Sequence, residues 1–253
     1  MDMFLVSAGV IFVMALLRWL APAKMPPGIT TLSQSELARR YKSWEVASIL
    51  PLFTFTAFLG YGWFLLIRFA ASLLLPAAGD GVRVVTPEDA YWAVPAGFLG
   101  LVSSARPLTL LYGVLLKDRY AEYDAYTRFK LGFDSWALFR VFAFLVPLMA
   151  AAFLLAGINY SAQFDERGIT TRRFWGAGGG LHSYEAVTSI HTRDHFIAPN
   201  GNRVLQPHYV IEFSDGTAWT TRDGMRTPDP ANDLNLMEFV ALKSGRTIEA
   251  GND

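Results

Sequence analysis

Four stretches of this sequence are apolar for long enough to cross a lipid bilayer, and no other feature restricts the fold as severely. A crossing needs about 20 mostly apolar residues, because the hydrocarbon core is about 30 Å thick and a helix rises about 1.5 Å per residue. The first stretch covers about 3–20 and is uncharged from Met3 until Arg18. The second covers about 46–68, uncharged from Val46 to Ile67, with an apolar tail past Arg68 to Leu75. The third, about 91–116, contains Arg106-Pro107. The fourth, about 138–157, is uncharged from Val141 onward, just after Arg140. Trp19, Trp44, Trp63, Trp92 and Trp136 fall at or near span ends. Indole favours the headgroup zone, where its ring is apolar and its N–H is wetted. Arg18 and Arg140 lie close enough to ends for their stems to reach water.

The first stretch has a rival reading as a cleaved secretory signal, because Ala21-Pro22-Ala23 is a small-residue site. Against it, the segment opens with Asp2, lacks an early Lys or Arg, and carries Arg18 just before the site. Orientation follows from the loops. The loop at 21–45 carries Lys24, Arg39, Arg40 and Lys42, with Arg18 just before it, and that at 117–136 carries Lys117, Arg119, Arg128 and Lys130. The loop between spans two and three holds Arg68 and Arg83 beside Asp80, Glu88 and Asp89. The positive-inside rule therefore puts 21–45 and 117–136 in the cytoplasm and, with four spans, the C-terminal domain outside. A third span broken at Arg106-Pro107 would move that domain to the other face.

Composition agrees with a membrane chain. Of 253 residues 17% are charged, against roughly 25% in soluble domains, and charges become ordinary only after residue 158. The zero net charge offers no bulk field for nucleic acid. The absence of cysteine excludes disulfides, thiolate metal sites and cysteine nucleophiles.

Both basic loops carry helical aromatic patterns. Ser33 and Glu36 have capping-box spacing, followed by Leu37, Tyr41 and Trp44. In the later loop Tyr120, Tyr123, Tyr126, Phe129 and Phe133 recur every three or four residues. These stripes either lie on the membrane surface or pack on neighbouring helices. The two helical hairpins, each with a basic aromatic loop, also suggest a diverged internal repeat.

From 158 to 253 the pattern turns to strands. Tyr160–Phe164, Ile169–Trp175, Val187–Arg193, Val204–Phe213 and Thr217–Thr221 read as strands. They are separated by turns at 165–168, the glycine-rich 176–180, 199–202 and Asp215-Gly216. Leu234, Met237, Phe239, Val240 and Leu242 mark a final helix stopped by Gly245. In Phe164–Ile169, Ser183–Ile190 and Tyr209–Gly216 the sequence resembles bacterial pleckstrin-homology-like (PH-like) domains that accompany membrane helices. The resemblance covers about 158–253, where five strands are legible against seven in that fold. It implies a binding or scaffolding module and does not imply catalysis. The fold class expected is thus a multi-pass α-helical membrane region, 1–157, followed by an α+β, PH-like domain, 158–253.

Candidate chemistry is sparse. His182, His191, His195 and His208 all lie in the strand domain. His191 and His195 suggest a metal pair at helical spacing, but on a strand they stand about 13 Å apart, too far for one ion. The glycine-rich stretch lacks dinucleotide or P-loop spacing. Arg172 and Arg173, adjacent on a strand, would face opposite sides, and Asp165 and Glu166 share the first turn with Arg167, so inositol phosphate binding is not supported. Ser103 and Ser104 have no histidine in the membrane region to act as base.

The sharpest candidate is Arg106 with Ser103 and Ser104. A charge inside a span costs about 2.5–3.5 kcal/mol on insertion scales and needs a cavity, partner or headgroup. Pro107 also frees a carbonyl one turn back, near Ser103. The group binds an anion or lipid headgroup, or Arg106 serves a structural kink. No catalytic, metal or cofactor-binding residue is assigned and no cofactor is expected. The expected partners are the bilayer and a protein partner or second copy, in what resembles a bacterial inner-membrane protein. Two functions stand open: a membrane-anchored interaction or regulatory protein, and a small transporter or membrane-enzyme subunit built on Arg106.

Overall fold

In a computed structural model the chain is described at residues 12, 14–23, 32–77, 79, 81–174, 179–198, 200–223 and 229–251. Most of the first apolar stretch therefore lies outside the described residues, although 14–20 is helical. Three helical segments among the described residues are long and apolar enough to cross a membrane. They are α1 (Gln34–Leu74), α2 (Asp89–Leu116), which continues through a 3₁₀ turn at Lys117–Arg119 into α3 (Tyr120–Leu131), and α4 (Ser135–Asn159). The chain forms two compact units, Met1–Phe64 with Ala96–Ala150, and Leu65–Pro95 with Ala151–Asp253.

In the first unit, α1 starts where the sequence predicts. The Ser33 amide and hydroxyl both donate to the Glu36 carboxylate, at 2.8 and 2.6 Å. The helix then runs for 41 residues, about 61 Å, roughly twice the hydrocarbon thickness. The surface helix considered for the first basic loop is thus the opening of α1, with no turn before the span. Its aromatic stripe packs inward: Leu37 and Tyr41 are buried with Tyr112, Leu116 and Tyr126. Ion pairs Arg40–Glu122 at 2.9 Å and Lys130–Glu45 at 2.5 Å fix α3 beside α1. Arg128 joins Asp124 and Asp134 at the start of α4.

Helix α2 is continuous through Arg106-Pro107, so the break considered there does not occur. Its backbone approaches α1 closely at Gly100. A Cβ on Gly100 would lie 2.6 Å from the Cα of Gly60 and 2.7 Å from the Thr56 carbonyl. A Cβ on Gly60 would meet nothing nearer than 3.6 Å. Small residues at such crossings let helix backbones pack by dispersion alone where lipid supplies no hydrophobic drive.

The second unit is built on two four-stranded sheets, ordered β1-β2-β3-β4 and β7-β6-β5-β8. The strands are β1 (Arg83–Val85), β2 (Ser161–Asp165), β3 (Gly168–Arg172), β4 (Gly180–His182), β5 (Val187–Ile197), β6 (Arg203–Phe213), β7 (Ala218–Thr220) and β8 (Ile248–Ala250). Helix α5 (Pro230–Ser244) is capped by Asp229, whose side chain accepts from the Asn232 amide, and ends at Gly245 with φ 67°. Phe164, Ile169, Val187, Ile190, Ile211, Met237 and Val240 are fully buried in one core with Val85 and Trp219.

Three of these strands are absent from the sequence reading. β1 comes from the loop between α1 and α2, and pairs antiparallel with β2, Arg83 opposite Phe164 and Val85 opposite Ala162. Residues 65–95 therefore join 151–253 in one unit, so the strand domain does not begin at 158 alone. β4 forms at the end of the glycine-rich stretch, and β8 pairs parallel with β5 after the final helix. β3 ends at Arg172, while the expected strand end at Trp175 falls outside the described residues. Aromatic packing holds the base of this unit: Tyr91 and Trp92 close on Gly157, and Phe174 stacks between Tyr91 and Tyr160.

Two outcomes follow from this packing. Gly100→Ala should destabilise the detergent-solubilised protein by about 1–3 kcal/mol, while Gly60→Ala stays near wild type, as read by thermal unfolding. Tyr184 donates to the Asp165 carbonyl at 2.8 Å, and burial, then the Asp165 charge, pushes its phenol up to about 12. An unfolded phenol ionises near 10, so between about pH 10 and 12 the unfolded chain releases a proton the folded chain keeps. That contribution is complete below pH 10 and is lost as pH rises toward 12. Tyr184→Phe should flatten this alkaline fall in melting temperature.

Candidate functional site

The helix separates Ser104 from Arg106, while Ser103, three residues before Arg106, lies on the same side of the helix as it. Ser104 is fully buried and donates to the Leu101 carbonyl at 2.6 Å. Ser103 accepts a hydrogen bond from the Trp63 indole at 3.0 Å, which ties α2 to α1. Arg106 is exposed, and among the described residues its side chain has no hydrogen bond or ion pair. At about 100° per residue, Ser104 and Arg106 point some 200° apart, one into the packed face and one out of it.

The four histidines occupy separate places. His191 and His195 stand on β5, as the strand reading requires. His191 Nε2 lies 4.0 Å from Glu212, and His195 Nδ1 lies 3.0 Å from the Arg203 guanidinium. His208 is buried with Nδ1 2.9 Å from the Gln206 carbonyl. His182 stacks on Phe213 with centroids 4.0 Å apart, its Nδ1 3.6 Å from Asp215. Hydrogen bonds from Thr217 hold the Asp215 carboxyl below its usual range. Among the described residues no group of three His, Asp or Glu could hold a metal ion.

One expectation about the basic pair changes. β3 ends at Arg172, so Arg173 leaves the strand alternation. Both arginines line a narrow cleft with Thr171, His182, Trp219 and Asp223. The indole N–H of Trp219 is buried and finds no hydrogen-bond partner among the described residues. Gly179, at the described end of the glycine-rich stretch, packs where a Cβ would lie 2.4 Å from the Thr171 carbonyl. Close approach to β3, and not a phosphate cradle, accounts for a glycine there.

The most exposed apolar surface of the sheets is the outer half of the β5–β6 ribbon. β8 covers only Ile190–Thr192 of β5, and β7 covers only Val210–Glu212 of β6. Beyond them Phe196 pairs with Val204, His195 with Leu205, and Ile197 with Arg203. Leu205 is 78% and Ile197 62% exposed. Arg222 lies 3.5 Å over the Phe196 ring, adding a cation to the ribbon's flank. The alternation of Val204–Phe213 marks this strand in the sequence. That its outer half stands beyond the flanking strands depends on partner lengths, which no local signal carries.

These features define a class of architecture: a helical region with three helices able to span a membrane, and a two-sheet domain into which an inter-helix loop is woven. Comparison with family models, curated proteins and solved structures finds no match. Because Ser104 fills packed space and Arg106 does not, Ser104→Leu should lower the melting temperature, at a cost of about 1–3 kcal/mol. Arg106→Leu should leave it unchanged or raised, both read in the same thermal scan.

Proposed function

We propose that this chain is a membrane-anchored interaction or regulatory protein whose C-terminal domain, PH-like in character, binds a protein partner. The observation that carries the reading is the outer β5–β6 ribbon, with Ile197 and Leu205 exposed beside Arg193 and Arg203. Native proteins blunt open, apolar strand edges, and an edge left open is a template for strand addition. The order β2–β4, β5–β7 and then α5 supports the PH-like comparison, with β1 and β8 as additional edge strands.

In this reading the loops at 21–45 and 117–136 are cytoplasmic, on the strength of their Lys and Arg. The loop that supplies β1 and the C-terminal domain share the opposite side of what would be a bacterial inner membrane. The support is that β1 and β2 hydrogen-bond to each other, which is compatible with α2 and α4 crossing as a pair between them. The rival transporter or enzyme-subunit reading rests on Arg106, which stands apart from Ser104.

The test uses the full chain, since 158–253 alone would lack β1. Crosslinking in intact membranes followed by mild-detergent purification should recover a stoichiometric partner. Leu205→Glu with Ile197→Glu should abolish that recovery, whereas Leu242→Glu, on exposed α5 surface, should not. Loss with all three substitutions, or with none, would sink the ribbon as the docking surface.

A further inference from the structure

Independently of the strand domain, we infer that the cytoplasm-facing ends of α1 and α2 form a binding groove for an anionic phospholipid. An open groove of about 460 Å³ is lined by Tyr41, Trp44 and Leu115 on its apolar side and by Arg40, Lys117 and Arg119 on its basic side. It forms where both helices change character together. α1 becomes apolar after Trp44 and Glu45, and α2 stops being apolar after Leu116. The antiparallel crossing sets this match: Trp44 is sixteen residues before Gly60, and Leu116 is sixteen after Gly100. Each is about 24 Å from the crossing, so the two apolar-to-charged borders stand at one level. Trp44 packs edge-on against Tyr112 with centroids 6.1 Å apart, which holds that register.

Two of the three cations at this border are available to a ligand. Arg40 is engaged with Glu122 at 2.9 Å. Lys117 and Arg119 are exposed, and among the described residues neither side chain makes a hydrogen bond or ion pair. Asp118 is the single carboxylate lining the groove, against three cations. Lys117 also stands at φ 47°, the left-handed region in which glycine is the unstrained residue. A lysine there carries a backbone cost that glycine would not, so the turn is more easily formed without its side chain. Acyl chains would lie against exposed Leu115 and Val114, with the phosphodiester between Lys117 and Arg119.

The full chain would be reconstituted in nanodiscs of phosphatidylcholine containing a minor fraction of phosphatidylglycerol, and retained lipid counted by native mass spectrometry. Wild type should retain phosphatidylglycerol selectively. Lys117→Gly, which relaxes the turn and so should fold at least as well, should weaken retention about fivefold, and Arg119→Gln about as much. Arg140→Gln, an exposed arginine at the start of another span, should change nothing. Equal loss in Arg140→Gln would mean diffuse attraction and overturn the site, as would unchanged retention in both Lys117→Gly and Arg119→Gln. Displacement of the lipid by inorganic phosphate would assign the groove to a free oxyanion and overturn the lipid assignment.

Discussion

Backbone hydrogen bonds between β1 and β2 constrain this protein more than any side-chain contact does. They join Arg83–Val85, between the first two long helices, to Ala162–Phe164, which follows the third. Two strands that share hydrogen bonds must lie in the same solvent, because a lipid core would leave their other polar groups unpaired. Everything between them has to leave and return. α2 and α4 can therefore cross a membrane only as a pair, with α3 between them. The same pairing gives β2 a partner on both edges and brings Val85 into the core with Phe164 and Met237. Arg83 completes the attachment by donating to the Asn235 carbonyl at 2.6 Å and stacking on Phe239, both on α5.

Within the helical unit, polar groups are arranged by depth. At the Gly60–Gly100 crossing no side chain intervenes, and packing rests on backbone proximity. One turn away the Trp63–Ser103 hydrogen bond satisfies two polar groups that lipid could not. Toward the basic loops, tyrosines and ion pairs replace glycines. Burial, then the Glu45 carboxylate, pushes Tyr126 up to about 12, so its phenol stays neutral throughout the physiological range. The ion pairs there are partly exposed and each contributes little alone. Their geometry sets which face of α3 meets α1.

Pattern-based reading succeeded where the signal is local. Apolar length located the three long helices able to span a membrane, Ser33 and Glu36 marked the start of α1, and Gly245 marked the end of α5. It failed where an element is defined by a distant partner. Arg83–Val85 and Ile248–Ala250 are three residues each, too short to show alternation, and become strands only because β2 and β5 offer open edges. Arg106-Pro107 suggested a break because proline removes one hydrogen bond. The helix nevertheless continues, with neighbouring hydroxyls such as Thr109 bonding back to the Ala105 carbonyl. Of the candidate trio at 103–106, helical rotation separates Ser104 from Arg106 and leaves Ser103 on the same side as Arg106.

The sequence by itself determined that this chain has helices able to span a membrane, an excess of cations in alternate loops, and a strand-rich C-terminal region closed by a helix. Those properties follow from transfer free energy, charge and local backbone preference, all written within windows of about 20 residues or fewer. Only the tertiary structure decided that an inter-helix loop belongs to the sheet domain, and that α2 continues through its proline. It also decided that Lys117 and Arg119 stand level with Trp44. Each of these depends on which distant backbone supplies a hydrogen bond or a close packing surface, a quantity that residue spacing does not carry.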